Sequence, residues 1–122
     1  MVICGVIGSM VELTSSLTTL IGALDNKDVS ARELLAMHLD RVDKLDGAIN
    51  SVVTLAPERA EVEAAQIDQA RASGEQVGRL AGVPVTIKDA LATEGIRSTG
   101  GAVELRDFVP DTDAVVVDTV RT

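Results

Sequence analysis

Aromatic side chains are almost absent from this sequence. Phe108 is the single aromatic residue among 122, and the chain has no tryptophan and no tyrosine. Positive charge is also scarce, since 11 basic residues against 19 acidic ones give a formal net charge of −8. Proteins that bind nucleic acids use positively charged grooves and aromatic stacking platforms. We therefore expect no direct contact with nucleic acid.

Cysteine and histidine are also rare. Cys4 and His38 are the only residues of their kinds, which excludes a disulfide within the chain and a metal site built on a Cys/His cluster. This composition fits a reducing compartment, and we expect a cytoplasmic location. No apolar run reaches the ~20 residues of a transmembrane helix. The apolar opening at 1–7 lacks the basic region of a signal peptide, so we expect no membrane span and no signal peptide.

The shortage of large aromatics leaves two interpretations of the fold open. The length of 122 residues allows one domain, and domains of this size usually build part of their core from aromatic rings. A chain rich in alanine, valine and leucine is either a small helical module or one part of a domain with a larger core. An irregular leader is expected at 1–12, in which Met10 is a second candidate start.

Hydrophobic periodicity predicts two helices in the first half of the chain. Beginning at Thr14, a candidate N-cap, apolar residues recur at the spacing of one helix face. They are Leu17, Leu20, Ile21 and Leu24. Ser30 and Glu33 have the spacing of a capping box, in which each side chain accepts a hydrogen bond from the main-chain N–H of the other residue. The second helix follows this box and is expected to stop at Gly47.

A third helix is predicted between Pro57, which suits a first helical turn, and Gly74, which suits a helix end. A narrow stripe of small side chains on one face would let another backbone approach closely: Ala60, Ala64 and Ile67. The acidic residues of this helix are predicted to form a solvated face, with Arg59 and Arg71 as partners. They are Glu58, Glu61, Glu63 and Asp68. Residues 13–75 are thus predicted to be a helical segment.

Two elements are predicted in the last third of the chain. Residues 83–87 are apolar and β-branched, which predicts a buried strand with Pro84 near its start. A helix is predicted from Asp113, a candidate N-cap, through the valine-rich run at 114–117.

Lys88 directly follows the predicted strand, and strand ends are where α/β enzymes place working side chains. A lysine in a low-dielectric site loses its proton more easily and can then act as a general base. Lys88 is therefore a candidate catalytic residue, with an ordinary surface lysine as the alternative.

Other reactive side chains have simpler interpretations. Cys4 lies in an apolar stretch without nearby positive charge, which favours an inert thiol over a nucleophile. His38 lies on the apolar side of the second helix and is interpreted as a packed or half-exposed helix residue, not as a member of a Ser–His–Asp triad. Gly100 and Gly101 lack the Gly-Lys-Ser/Thr ending of a phosphate-binding loop, so we expect no nucleotide.

Five short segments share the order that they have in one enzyme family. They are VSARELL at 29–35, INSVVT at 49–54, GRLAGVPVTIKD at 78–89, EGIRSTGG at 94–101 and DTDAVVV at 111–117. In this order they resemble the amidase signature family, and the resemblance covers residues 13–122. The third segment resembles the family pattern G-x-L-x-G-[IV]-P-[IV]-x-[IV]-K-D, in which Lys88 matches the lysine. Ala90 departs from the common pattern, since many members have a polar residue there.

The resemblance implies an α/β fold. The chain would supply the N-terminal helices and the first strand of an α/β/α-layered core with a mixed sheet, truncated at 122, with 80–122 as the start of the catalytic core. It also implies a serine hydrolase of carboxamides with a Ser–cis-Ser–Lys triad, in which Lys88 is the lysine and no metal or organic cofactor is needed. The two serines of the family lie in a later segment, which Ser73 and Ser98 do not match. These 122 residues alone are expected to be inactive.

Three functions remain open. The first is a stand-alone amidase that hydrolyses a small-molecule amide. The second is the glutamine-hydrolysing subunit of a tRNA-dependent amidotransferase, which would pass ammonia to a partner subunit. The third is a non-catalytic, truncated relative. The expected partners are an amide substrate and the missing C-terminal part of the same enzyme, with a homo-oligomer left open.

Overall fold

A computed structural model describes residues 11–121, so most of the predicted leader at 1–12 lies outside the described residues. Four α-helices occur within this range: α1 (Leu17–Asp25), α2 (Ala31–Leu45), α3 (Pro57–Ser73) and α4 (Val115–Arg121). Short 3-10 helices follow α2 at Asp46–Ala48 and precede α4 at Val103–Leu105. Each helix in this range is too short or too polar to cross a bilayer.

α1 begins where a serine hydroxyl satisfies one of its first free N–H groups. The Ser16 Oγ accepts a hydrogen bond from the Thr19 N–H at 3.2 Å, so Ser16 is the N-cap. The prediction of Thr14 was therefore wrong. An N-cap accepts from the second or third helical residue, and Thr14 lies too far from a helix that begins at Leu17.

α2 begins at the predicted capping box, which the structure confirms. The Ser30 N–H donates to Glu33 Oε2 at 2.9 Å, and the Glu33 N–H donates to Ser30 Oγ at 3.2 Å. The main-chain and hydroxyl donors of Ser30 lower the pKa of Glu33. Because this charge lies in the first turn, it also interacts favourably with the helix dipole.

α2 ends at Leu45, two residues before the predicted stop at Gly47, which lies in the 3-10 helix Asp46–Ala48 that follows. Asn50 then takes the left-handed conformation with a φ of 54°. The Asp46 carboxylate accepts hydrogen bonds from the Ser51 hydroxyl and the Ser51 N–H, and the hydroxyl is the main cause of its lowered pKa.

The core forms where α1, α2 and α3 meet. Its buried members are small or aliphatic: Leu20, Ala23, Leu24, Val29, Ala31, Leu34, Leu35 and Ala64. α3 begins at Pro57 and ends at Gly74, which has a φ of 77°, and both predicted ends are confirmed. The predicted stripe of α3 faces this core, since Ala64 is buried and Ala60 and Ile67 pack beside it. Its small side chains allow close packing without aromatic rings.

Gly82 brings the chain after α3 back onto this core. It has a φ of +92°, and a Cβ atom there would lie 3.1 Å from the Ala31 Cβ and 3.4 Å from the Ile67 Cγ2. Only glycine combines this conformation with this close approach at little cost. Val83, the next residue, packs against the helical core.

Asp68 connects α3 to the start of α2. Its carboxylate accepts hydrogen bonds from the Ala31 N–H at 2.7 Å and the Arg32 N–H at 3.2 Å. These N–H groups lack partners within their own helix, and Ala31 is only 1% exposed. The prediction that Asp68 belongs to a solvated acidic face was therefore wrong.

Of the two arginines predicted to pair with acidic residues of α3, only one does so. Arg59 pairs with Glu63 at 2.9 Å within α3, as predicted. Arg71 does not pair with an acidic residue of its own helix. It donates to Asp25 of α1 at 2.8 Å and to the Ala81 carbonyl at 3.0 Å, so it joins α3, α1 and the turn before Gly82.

The strand predicted at 83–87 is absent from the described structure. These residues have no regular secondary structure, and among residues 11–121 the only β-type pairing is an isolated bridge between Thr93 and Ile96. A strand needs a neighbouring strand for its main-chain hydrogen bonds. Val85 is 54% exposed, so the segment is not buried either.

α4 is a helix, as predicted, but Asp113 is not its cap. The Ala114 carbonyl accepts from the Asp118 N–H at 3.0 Å and so occupies the cap position. The Asp113 carboxylate instead accepts from the Glu94 N–H at 2.6 Å and from Arg121 at 3.2 Å. The Asp113 carboxylate was predicted to cap α4, but it connects the Glu94 N–H to Arg121, the last residue of α4.

We expect Asp68→Ala to lower the free energy of unfolding by about 1–3 kcal/mol, because two N–H groups of α2 lose their acceptor. Urea unfolding of the protein measures this change through the midpoint. Glu61→Ala is the matched control, since it removes an exposed carboxylate from the same helix and should change stability by less than about 0.5 kcal/mol. Equal effects of the two variants would contradict this role of Asp68.

Candidate active site

Lys88 lies at the start of a loop that follows residues 83–87. Its carbonyl accepts a hydrogen bond from the Leu91 N–H at 2.8 Å, which closes a turn directly after the lysine. The Lys88 side chain is exposed. The expected position at the end of a buried strand was thus wrong for residues 11–121, because the segment before the lysine is unpaired and partly exposed. We call residues 88–101 the Lys88 loop.

The two ends of the Lys88 loop are joined through Asp89. The Asp89 carboxylate accepts hydrogen bonds from the Thr99 N–H at 3.0 Å and from the Thr99 hydroxyl. The Asp89 carbonyl accepts from the Gly100 N–H at 3.2 Å, and the Thr99 Oγ1 accepts from the Gly101 N–H at 3.1 Å. Two of the sequence segments that resemble family motifs therefore meet here.

Hydrogen bonding to its charged form lowers the pKa of Asp89. The Thr99 hydroxyl is the largest cause, and the Thr99 N–H follows. A carboxyl group whose pKa is lower in the folded state stabilises that state above its ordinary pKa. This stabilisation is lost as the pH falls through the lowered pKa of Asp89, so acid should loosen the Lys88 loop.

A second set of hydrogen bonds fixes the middle of the Lys88 loop to the chain before α4. The Gly95 N–H donates to the Pro110 carbonyl at 2.9 Å, and the Ser98 N–H donates to the Phe108 carbonyl at 3.0 Å. The Ala114 N–H donates to the carbonyl of Ala92 at 2.8 Å. With the contact of Asp113 to the Glu94 N–H, these bonds hold the loop against the residues that lead into α4.

Three arginines attach this loop region to the α2–α3 part of the chain. Arg59 of α3 donates to the Glu94 carbonyl. Arg97 donates to the Val53 carbonyl at 2.9 Å, and Arg121 of α4 donates to Glu63 of α3 at 2.6 Å. These three arginines therefore bind two main-chain carbonyls and one carboxylate.

The other candidates from the sequence do not join Lys88. Cys4 lies outside the described residues. The Nδ1 of His38 is 2.8 Å from the Leu34 carbonyl, which fits the interpretation as a packed helix residue. The Ser73 hydroxyl donates to Glu75, and the Ser98 hydroxyl donates to the Ile96 carbonyl, so each serves its own turn.

Sequence reasoning missed Thr99 as a residue of this site. It appears in the motif at 94–101 only as part of a turn. The available signal was a carboxylate directly after Lys88 and a hydroxyl directly before Gly100, a combination that suits a side-chain clamp on a tight turn. Among residues 11–121 no group of three His, Cys, Asp or Glu side chains is arranged to hold a metal ion.

Known proteins with similar sequences show the family to which the chain belongs. The sequence model of the Amidase family matches residues 33–122, so the chain belongs to the amidase family. A glutamyl-tRNA(Gln) amidotransferase subunit of Moorella thermoacetica is 45% identical over 94 residues, which cover 77% of this chain and 19% of that protein. The corresponding subunit of Chromohalobacter salexigens is 42% identical over 106 residues, which cover 87% and 22%. The chain thus spans about a fifth of the length of these relatives.

Solved structures of the same family have this arrangement of helices and loops. A bacterial aryl acylamidase of the amidase signature family matches with a TM-score of 0.77 and 31% identity, over 82% of this chain and 21% of that one. A chain from a vestigial complex that bears on the origin of an s-triazine catabolic enzyme matches with a TM-score of 0.83 and 30% identity, over 88% and 24%.

We expect Thr99→Val to raise the pKa of Asp89 back toward the ordinary value of an aspartate. The variant removes the hydroxyl that contributes most to the lowered pKa but keeps the main-chain donor and the side-chain volume. Carbon-detected NMR titration of the Asp89 carboxyl measures the shift. Thr99→Ser is the control and should leave this pKa low, because it retains the hydroxyl. An unchanged pKa in Thr99→Val would show that the hydroxyl is not the cause.

Proposed function

We propose that the complete protein hydrolyses a carboxamide to a carboxylate and ammonia or an amine, with Lys88 as the general base. The observation that carries this proposal is the position of Lys88 in a chain of the amidase family. It ends the segment GRLAGVPVTIKD, and its side chain is exposed at the start of a loop fixed through Asp89.

In the proposed mechanism the neutral amine of Lys88 takes a proton through a cis-serine, which relays it from a nucleophilic serine. The activated serine attacks the amide carbonyl, and main-chain N–H groups stabilise the oxyanion, each worth roughly 3 kcal/mol of barrier. Ammonia or an amine leaves with a proton, and water then releases the acid from the acyl-enzyme. Both serines and the oxyanion site would come from sequence that this chain does not contain.

A lysine acts as a base only when it is neutral, which requires a site of low dielectric constant. Lys88 is exposed in residues 11–121, so we propose that the rest of the enzyme covers it. Residues 83–87 would then pair as a strand in the mixed sheet of an α/β core. The exposure of Val85 supports this proposal, because the apolar side chain lacks cover. These 122 residues alone would have no amidase activity.

In the full-length protein, Lys88→Ala should lower kcat by at least about 100-fold, the usual contribution of a general base. Lys88→Arg should fail as well, because a guanidinium group stays protonated near neutral pH. Steady-state amide hydrolysis measures both effects, and circular dichroism checks that the fold is intact. Lys44→Ala is the control, since it removes an exposed lysine whose ion pair with Asp40 lies within α2. Near-parental activity of Lys88→Ala would contradict the proposed role.

A second candidate function is glutamine hydrolysis within an amidotransferase. The observation that favours it is the 45% identity to a glutamyl-tRNA(Gln) amidotransferase subunit. Such an enzyme would use the same triad and would pass the ammonia to a partner subunit. The net charge of −8 does not oppose this function, since the partner can hold the tRNA.

The two candidates differ in how hydrolysis responds to a partner. A stand-alone amidase should turn over simple aliphatic or aryl amides without any other protein. A glutaminase subunit should prefer glutamine, co-purify with a partner and release ammonia faster when charged tRNA is added. Ammonia release from each substrate, with and without tRNA, separates the candidates. A cytoplasmic location and a homo-oligomer stay predictions in either case.

A further inference from the structure

We propose that Asp89 and Thr99 are positioning residues for the Lys88 amine. This inference rests on the proposed function of Lys88 and extends it to two neighbours that do not themselves react. The Asp89 carboxylate and the two Thr99 donors form a clamp, which we call the Asp89–Thr99 clamp, directly beside the proposed base.

The clamp fixes the main chain on the C-terminal side of Lys88. The Lys88 carbonyl is held by the Leu91 N–H at 2.8 Å, and the next carbonyl, that of Asp89, is held by the Gly100 N–H at 3.2 Å. The Asp89 side chain is held by the Thr99 N–H at 3.0 Å. With both carbonyls and the carboxylate bonded, the peptide between residues 88 and 89 has little freedom to rotate.

Lys88 is exposed, whereas Ile87 and Asp89 on either side of it are half-buried. The Asp89 side chain is held at Thr99, so the lysine beside it is the side chain that the rest of the enzyme would meet.

The clamp uses the Asp89 carboxylate for the loop and not for the lysine. Among residues 11–121 no hydrogen bond or ion pair joins Asp89 to Lys88. The partners of the carboxylate are the N–H and the hydroxyl of Thr99.

Thr99→Val in the full-length protein tests the inference. We expect kcat to fall roughly 10- to 100-fold, the scale of a misplacement near 1 Å, with KM little changed because a positioning residue does not itself bind the substrate. Thr99→Ser should return kcat to within about threefold of the parent, because it restores the hydroxyl–carboxylate bond.

Ser51→Ala is a matched control for the chemistry of the clamp. Asp46 accepts from the hydroxyl and the N–H of Ser51, which is the same pair of bonds in the loop between α2 and α3. This variant should leave kcat and KM at the parental values. An equal loss of kcat in Ser51→Ala would overturn the inference, since any loosened loop would then lower the activity.

A double-mutant cycle with Lys88→Ala separates positioning from a general structural role. Residual turnover from the other groups of such a site is measurable at high enzyme concentration. If the clamp acts through the lysine, Thr99→Val should have no further effect in the Lys88→Ala background. An equal loss in both backgrounds would overturn the inference, as would full activity of Thr99→Val with Lys88 present.

The outcomes also distinguish this inference from the proposed function. Full activity of Lys88→Ala would overturn both. Loss of activity in Lys88→Ala with full activity in Thr99→Val would overturn the clamp alone. If Thr99→Val does not fold, Asp89→Asn enters the same cycle, because it keeps the side-chain volume while removing the charge. A kcat unchanged by Asp89→Asn would then overturn the inference.

Discussion

The structure depends on carboxylates that accept hydrogen bonds from main-chain N–H groups. Asp68 holds the start of α2, Asp46 closes the loop after it, Asp89 joins the ends of the Lys88 loop, and Asp113 binds the N–H of Glu94. A core of alanine, valine and leucine buries little surface for each residue. Aspartate side chains therefore hold the irregular segments around a described core that has no aromatic ring.

Sequence reasoning succeeded where a local rule decides the structure. The capping box of Ser30 and Glu33 was predictable because both partners lie within one turn, and so were the helix ends at Pro57 and Gly74. It failed where a polar side chain serves a distant element. Asp68 was assigned to a solvated face, although its partners lie 36 and 37 residues away in α2.

Motif resemblance selects Lys88 as a candidate catalytic residue, which stays a prediction, but it does not predict the clamp beside it. The bond between Asp89 and Thr99 joins residues 10 apart through a turn whose shape no local pattern specifies. The prediction of a strand at 83–87 was wrong for a different reason. The β-branched composition of these residues suits a strand, but a strand pairs with a neighbouring strand, and the described residues do not supply one.

The place of Gly82 in the core bears on the order in which the chain acquires structure during synthesis. α1, α2 and α3 have their final neighbours only once Gly82 and Val83 have left the ribosome, because both pack against these helices. The bond between Arg121 and Glu63 spans 58 residues and must wait until α4 has been made. Domains generally fold as units, so the helices and the lysine-bearing loop complete their packing together, after α4 has been made.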